Sequence, residues 1–255
     1  MARQKGLLKL TGTLGAVNFY VIKGVGYARK AGGGFNGEAI RRQPNMHRVR
    51  ENASEFGRCS QVKKEFRLAL SPFLADIKGR ALHARLMQLF LGIKALDGVS
   101  ERGQRSVIQG LQTAKGRRLL SQFVFTPQHQ LLDALSGRGS FDWSSQQFVV
   151  SDFNLSLYSF PKSATHVGVT LGVLDFDFEG LSSTLAVSPT HLLEVGTASA
   201  SFTLVPDAVL SPQYFGISVL GFRFYEVIDG EVYGLAGGVG CRVLGSEVSG
   251  VRCQE

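Results

Sequence analysis

The chain has 255 residues, 44% hydrophobic and 19% charged, with 31 Gly and 18 Phe. That balance excludes a disordered chain, and the length suffices for a sizeable core. The net charge of +8 is segregated: residues 1–140 carry 24 Lys/Arg against 8 Asp/Glu, and residues 141–255 carry 4 against 12, which points to two different partners or environments.

Residues 6–30 read as three short basic strands, GLLKLTGT, AVNFYVI and VGYAR, joined near Leu14-Gly15 and at Lys23-Gly24. Small Gly-bearing connections between β-branched and aromatic runs are hairpin signals. The first 34 residues hold six Lys or Arg and no acid, and Lys9 interrupts the only Leu pair. With no apolar h-region, a secretory signal is not expected.

A helical block follows Pro44. Val49, Ala53, Phe56, Cys59, Val62, Phe66 and Ala69 recur at spacings of three and four, which predicts one apolar stripe on a helix of about seven turns. Glu51, Glu55, Arg58, Lys63 and Lys64 fall on the opposite, solvated face. Ser71-Pro72 predicts the start of a second helix, with Ser as cap and Pro at the first position. This helix is expected to run to Asp97-Gly98. Its apolar stretch holds His83, Arg85 and Lys94 and is no bilayer span. A weaker helical stretch covers 101–121, interrupted by Gly103, Gly110 and Gly116, and TPQHQLLDAL adds a short turn.

Beyond Gly139 the period changes to two: QQFVVSDFNLSLYSF, HVGVTLGVLDFDFEG, STLAV, TASASFTLV, FGISVLGFRFYEVI, EVYGLA and GCRVLG. Asp229-Gly230 predicts a two-residue hairpin. The fold class is α+β. An N-terminal β-meander (1–35) and a basic helical region (36–139) precede an acidic antiparallel β-sandwich or jelly-roll-like domain (140–255).

Catalytic signatures are missing. The five histidines have no zinc spacing, and read as isolated surface or partly buried residues. There is no GxSxG elbow, phosphate loop or GxGxxG. Nothing calls for a cofactor. Cys59, Cys241 and Cys253 are too few for a disulfide framework, although Cys241 and Cys253 are the pair that an oxidising compartment would join. In Asp175-Phe176-Asp177-Phe178-Glu179, a strand would put Asp175, Asp177 and Glu179 on one face. Three carboxylates on one face are a weak calcium or carbohydrate-site candidate. A polar outer face over an aromatic core gives the same pattern.

The stronger feature is basic: Arg41, Arg42, Arg48, Arg50, Arg58, Lys63, Lys64 and Arg67, with Lys78, Arg80, Arg85, Arg117 and Arg118 beyond. Their field suits phosphate backbones or an acidic protein surface. Aromatic interleaving is sparse, and no DNA-reading motif is visible.

The start MARQKG–LKL–GT–G–FY, the later YAR–GG, RVRENASEFG and LGFRFYEVIDGEVYGL together resemble a family of bacterial proteins of about this length, from end to end. The resemblance implies a bacterial or bacteriophage-related source and carries no activity, cofactor or site residue. The residues therefore support a structural or self-assembling subunit, a homo-oligomer, cytoplasmic or within a virion-type or phage-tail-type particle. The alternatives are a nucleic-acid-binding protein acting through the basic helices, and a carbohydrate-binding or hydrolytic sandwich.

Overall fold

The computed structural model describes residues 2–6, 8–31, 37–77, 80–127, 129–235 and 237–248, the side chains of Arg80 and Val248 excepted. Cys253, Lys78 and the Arg80 side chain, which the sequence singled out, lie outside them. The class is α+β, with 32% helix and 34% strand. The chain divides into two compact units, Met1–Ser54 and Glu55–Glu255.

The first unit opens on four antiparallel strands: β1 (Ala2–Arg3), β2 (Gly12–Leu14), β3 (Val17–Ile22) and β4 (Val25–Lys30), in the order β1-β4-β3-β2. The Lys23-Gly24 turn is present, both residues at positive φ (48° and 78°), as the twist of a two-residue hairpin requires. The expected first strand is not continuous. Gln4 explains the break: its side chain accepts from Leu10 N (2.8 Å) and donates to the carbonyls of Leu10 (3.2 Å) and Tyr27 (2.9 Å). One amide thereby organises the crossover from β1 to β2. A Cβ on Gly26 would lie 3.1 Å from the Gln4 side chain, so Gly is suited to that position. Among the described residues of this sheet only Gly26 is buried. Leu10, Leu14, Val21 and Ile22 are exposed.

Helix α1 (Gly37–Arg42) follows, then a 3₁₀ turn (Pro44–Met46) and α2 (His47–Ala69). The apolar stripe on α2 is narrower than expected. Cys59, Val62 and Phe66 are buried, but Phe56 is 52% exposed, and Glu55 and Lys63 are buried in its place. The solvated-face reading of Glu55 and Lys63 is thus corrected. Glu55 meets Lys94 Nζ and Gly103 N–H inside, whereas the one polar partner of Lys63 among the described residues is the exposed His83.

In the second unit, the single helix expected from Ser71 is two: α3 (Ser71–Leu74) and α4 (Arg80–Lys94). The break has a tertiary cause. Phe73 lies in a hollow of the sheet where a Cβ on Gly172 or Gly221 would come within 2.6 Å of its ring. Asp76 pairs with Arg223 at 2.7 Å. These anchors set the direction of α3 and override helical continuity. The stretch 101–121 holds α5 (Val107–Leu111) and α6 (Ala114–Ser121), capped by the Ser106 and Thr113 hydroxyls. A Cβ on Gly110 would strike the Ile93 carbonyl, so this glycine permits close packing of α5 on α4. Helix α7 (Gln130–Arg138) completes the set.

The strands are β5 (Gly139–Asp142), β6 (Gln147–Phe153), β7 (His166–Phe176), β8 (Ser183–Val187), β9 (His191–Glu194), β10 (Ala200–Leu204), β11 (Phe215–Ile228), β12 (Glu231–Gly234) and β13 (Gly240–Val248). β7 and β11 pair over eleven positions at the centre of one sheet. β8 and β9 share the far edge of β7, and β12 and β13 share that of β11. A second sheet has the order β10-β6-β5. The Asp229-Gly230 hairpin forms, with both φ positive.

Two cores lie on opposite faces of the β7–β11 sheet. Leu174, Phe176, Phe215, Ile217 and Val219 face the helices, while Val167, Val169, Leu171, Leu220 and Phe222 face the small sheet and α7. The parity of these numbers fits one strand presenting alternate faces. Phe66 is at the centre of the helical core, its ring centroid 5.4 Å from those of Phe90 and Phe176 and 6.2 Å from that of Phe178. No helix among the described residues is long and apolar enough to cross a membrane.

Candidate anion-binding groove

The eight basic candidates are divided between the two units. Four belong to the first unit and are engaged there. Arg41 Nε donates to the Gly37 carbonyl at 3.2 Å. Arg42 pairs with Glu38, and Arg48 with Glu51, each at 3.2 Å. Arg50 donates to the carbonyls of Ile40 (2.6 Å) and Gln43 (3.0 Å), so its guanidinium closes the end of α1. In the second unit Arg58 donates to the Gly103 carbonyl and to Gln104 Oε1.

Lys63, Lys64 and Arg67 behave differently. All three line a groove of about 710 Å³ formed by α2, α3 and the start of α4. Helical spacing explains the grouping, since residues three and four apart share a face. Phe56, Leu68, Leu74 and Ala75 supply its apolar wall, and Ser60, Gln61, Ser71 and His83 add polar groups. Lys63 is only 7% exposed. Its Nζ lies 2.9 Å from His83 Nε2. A charged amine can only donate, so in that state the ring nitrogen accepts. Burial, and then the charge of Arg67, hold the Lys63 amine below its ordinary value. Lys64 pairs with Glu65 at 3.1 Å. Arg67 is exposed and has no hydrogen-bond or carboxylate partner among the described residues. The groove therefore sets three cationic side chains among apolar ones. It can hold a negative headgroup attached to an apolar body.

The acidic candidates are arranged otherwise than a single strand face would place them. β7 ends at Phe176. Asp175 is buried, its Oδ1 accepting from Tyr214 N (3.1 Å) and its Oδ2 from Gln213 N (2.8 Å). Asp177 Oδ1 accepts from Glu179 N at 2.8 Å and shapes the turn. Both Asp175 oxygens thus have backbone donors, and Glu179 lies beyond the strand. No cluster of three His, Cys, Asp or Glu side chains suited to a metal occurs among the described residues. Phe176 and Phe178 are both buried, as the alternation predicts.

Two features escaped the sequence. His83 stands twenty residues from Lys63, a separation that no local motif encodes. Glu55 anchors an internal polar network: its Oε2 accepts from Lys94 Nζ at 2.5 Å and its Oε1 from Gly103 N at 2.8 Å. Burial pushes the Glu55 carboxyl up, but these two donors and the Lys94 and Arg105 charges hold it below the ordinary value. The signal available was periodic. Glu55 is four residues before Cys59 and seven before Val62, as much on the buried stripe as Phe56. Comparison with protein-family models, curated proteins and solved structures finds no match.

Proposed function

We propose that the chain is a non-enzymatic subunit that assembles with copies of itself. One observation carries the reading: the sheet β1–β4 buries no side chain among its described residues, yet carries apolar side chains on its strands and loops. A small sheet gains stability only when a face is covered, and Leu8 (86% exposed), Leu14 (74%) and Ile22 (53%) supply surface for that cover. The charge asymmetry favours a heterologous contact, the basic half of one copy against the acidic half of the next. Light scattering at low salt tests this. The expected mass is a multiple of 27.6 kDa, falling as salt rises, and Leu14→Lys or Ile22→Lys shifts it to the monomer. Monomer alone at high concentration and low salt defeats the proposal.

The nucleic-acid reading has less support, because Arg42, Arg48, Arg50 and Arg58 are already held by their own chain. It requires binding that weakens steeply with salt, and an absent mobility shift at low salt ends it.

A further inference from the structure

The geometry points to the α2–α3–α4 groove as a binding site for a single-chain anionic amphiphile, of the long-chain carboxylate class. The Lys63 amine is the first reason. It is nine-tenths buried, and its one polar partner among the described residues is the imidazole of the exposed His83, not a carboxylate. A buried ammonium without a counter-ion is costly, and Arg67 adds like charge beside it. An anion entering the groove relieves both.

The walls are the second reason. Phe56 and Leu68 are 52% and 55% exposed, and Leu74 and Ala75 continue the same apolar surface. An inorganic ion would leave these groups wet. An acyl chain would cover them and gain with every methylene it buries. The volume of about 710 Å³ falls within the range of small-molecule sites.

The distribution of charge selects among anions. Lys63, Lys64 and Arg67 span five residues of one helix, which suits one headgroup. A polynucleotide would need cations along a track, and a neutral apolar ligand would leave the Lys63 charge uncompensated. A segment of a second copy is the competing occupant, and the experiment below distinguishes it.

The test is calorimetric titration of the full chain with decanoate below its micelle concentration, beside decanol and acetate. Decanoate is expected to bind one to one, at least tenfold tighter than decanol, with no heat from acetate. Lys63→Met keeps the stem and removes the charge, and should bring decanoate down to the decanol affinity. Arg67→Ala, at an exposed position that the fold does not use, should weaken decanoate several-fold and serves even if Lys63→Met fails to fold. Equal binding of decanoate and decanol, or wild-type affinity in Arg67→Ala, overturns the proposal. So does a light-scattering titration in which decanoate splits an assembly into monomers, because the groove is then filled by a neighbouring copy. Self-assembly through β1–β4 does not depend on this site and survives the first two failures, whereas the third would move the assembly contact to the groove.

Discussion

Replacing Glu55 separates the roles of a buried charge pair most directly. Glu55 is 4% exposed, and the Lys94 side chain is 14% exposed. Glu55→Gln keeps an acceptor for Gly103 N–H but leaves the ammonium of Lys94 without its counter-charge. Breaking a buried pair from one side costs about 3–5 kcal/mol, and the retained acceptor places this variant near about 3 kcal/mol. Glu55→Ala also strips the Gly103 donor, which adds about 1–3 kcal/mol. That loss loosens the loop from Asp97 to Ser106, which α2 otherwise holds through both Glu55 and Arg58. The double variant Glu55→Leu/Lys94→Met removes both charges, and should be less destabilised than Glu55→Ala alone. Urea unfolding at pH 7, extrapolated linearly, measures all three. The pH dependence has a defined sign. The Glu55 carboxyl is lowered from its ordinary 4.5, so its contribution is complete above that value and is lost as pH falls through the depressed one. The Glu55→Gln penalty therefore shrinks below about pH 4.5. Losses under 1 kcal/mol in both single variants, or a double variant destabilised as much as Glu55→Ala or more, would refute a coupled buried pair.

Other features are tested as simply. Gly221→Ala should destabilise by about 1–3 kcal/mol, as overpacking does, in the wild type but not in Phe73→Ala, where the obstructing ring is gone; additivity would place Phe73 elsewhere. Asp175→Asn should cost about 1–3 kcal/mol through its bonds to the Gln213 and Tyr214 amides. Calcium in place of chelator should leave the melting temperature unchanged, and a rise of several degrees would show that Asp175 abandons those amides for a cation. Burial raises both Cys59 and Cys241, so neither thiol should alkylate until the protein unfolds. Labelling of either in native buffer, located by peptide mass analysis, would contradict the packing around Phe90 and Phe125.

Much of the strand pattern was legible because alternation and turn chemistry are local. The β3–β4 and β11–β12 hairpins follow from Lys23-Gly24 and Asp229-Gly230 alone. The stripe Cys59, Val62 and Phe66 follows from helical spacing. Legibility failed where a distant partner changed the meaning of a residue. Gln4 broke a strand by bonding to Leu10 and Tyr27. Phe73 ended a helix by entering a hollow that Gly172 and Gly221 leave open. Glu55 and Lys63 read as surface charges because Lys94, Gly103 and His83 are 39, 48 and 20 residues away. The candidate site was legible in its cations and not in its selection. Eight basic residues look alike in the sequence, and only the fold shows that Lys63, Lys64 and Arg67 share a groove and that Arg67 alone of the eight has no hydrogen-bond or carboxylate partner among the described residues.

The β7–β11 ladder has a consequence for the order in which the second unit comes apart. Each strand gives one half of its length to the helical core and the other to the core under the small sheet. Losing either layer would expose one side of the same hydrogen-bonded pair. Amide exchange should record this as a single slowest class spanning both strands, released only by global opening, with β9, β12 and the ends of β8 exchanging through smaller local events. Its partners are 39 to 59 residues apart in sequence, so the ladder also closes late. A polypeptide emerging from the ribosome would hold its amphipathic helices without their shared wall until residues near 228 had been made, and that interval is when it would most need a chaperone.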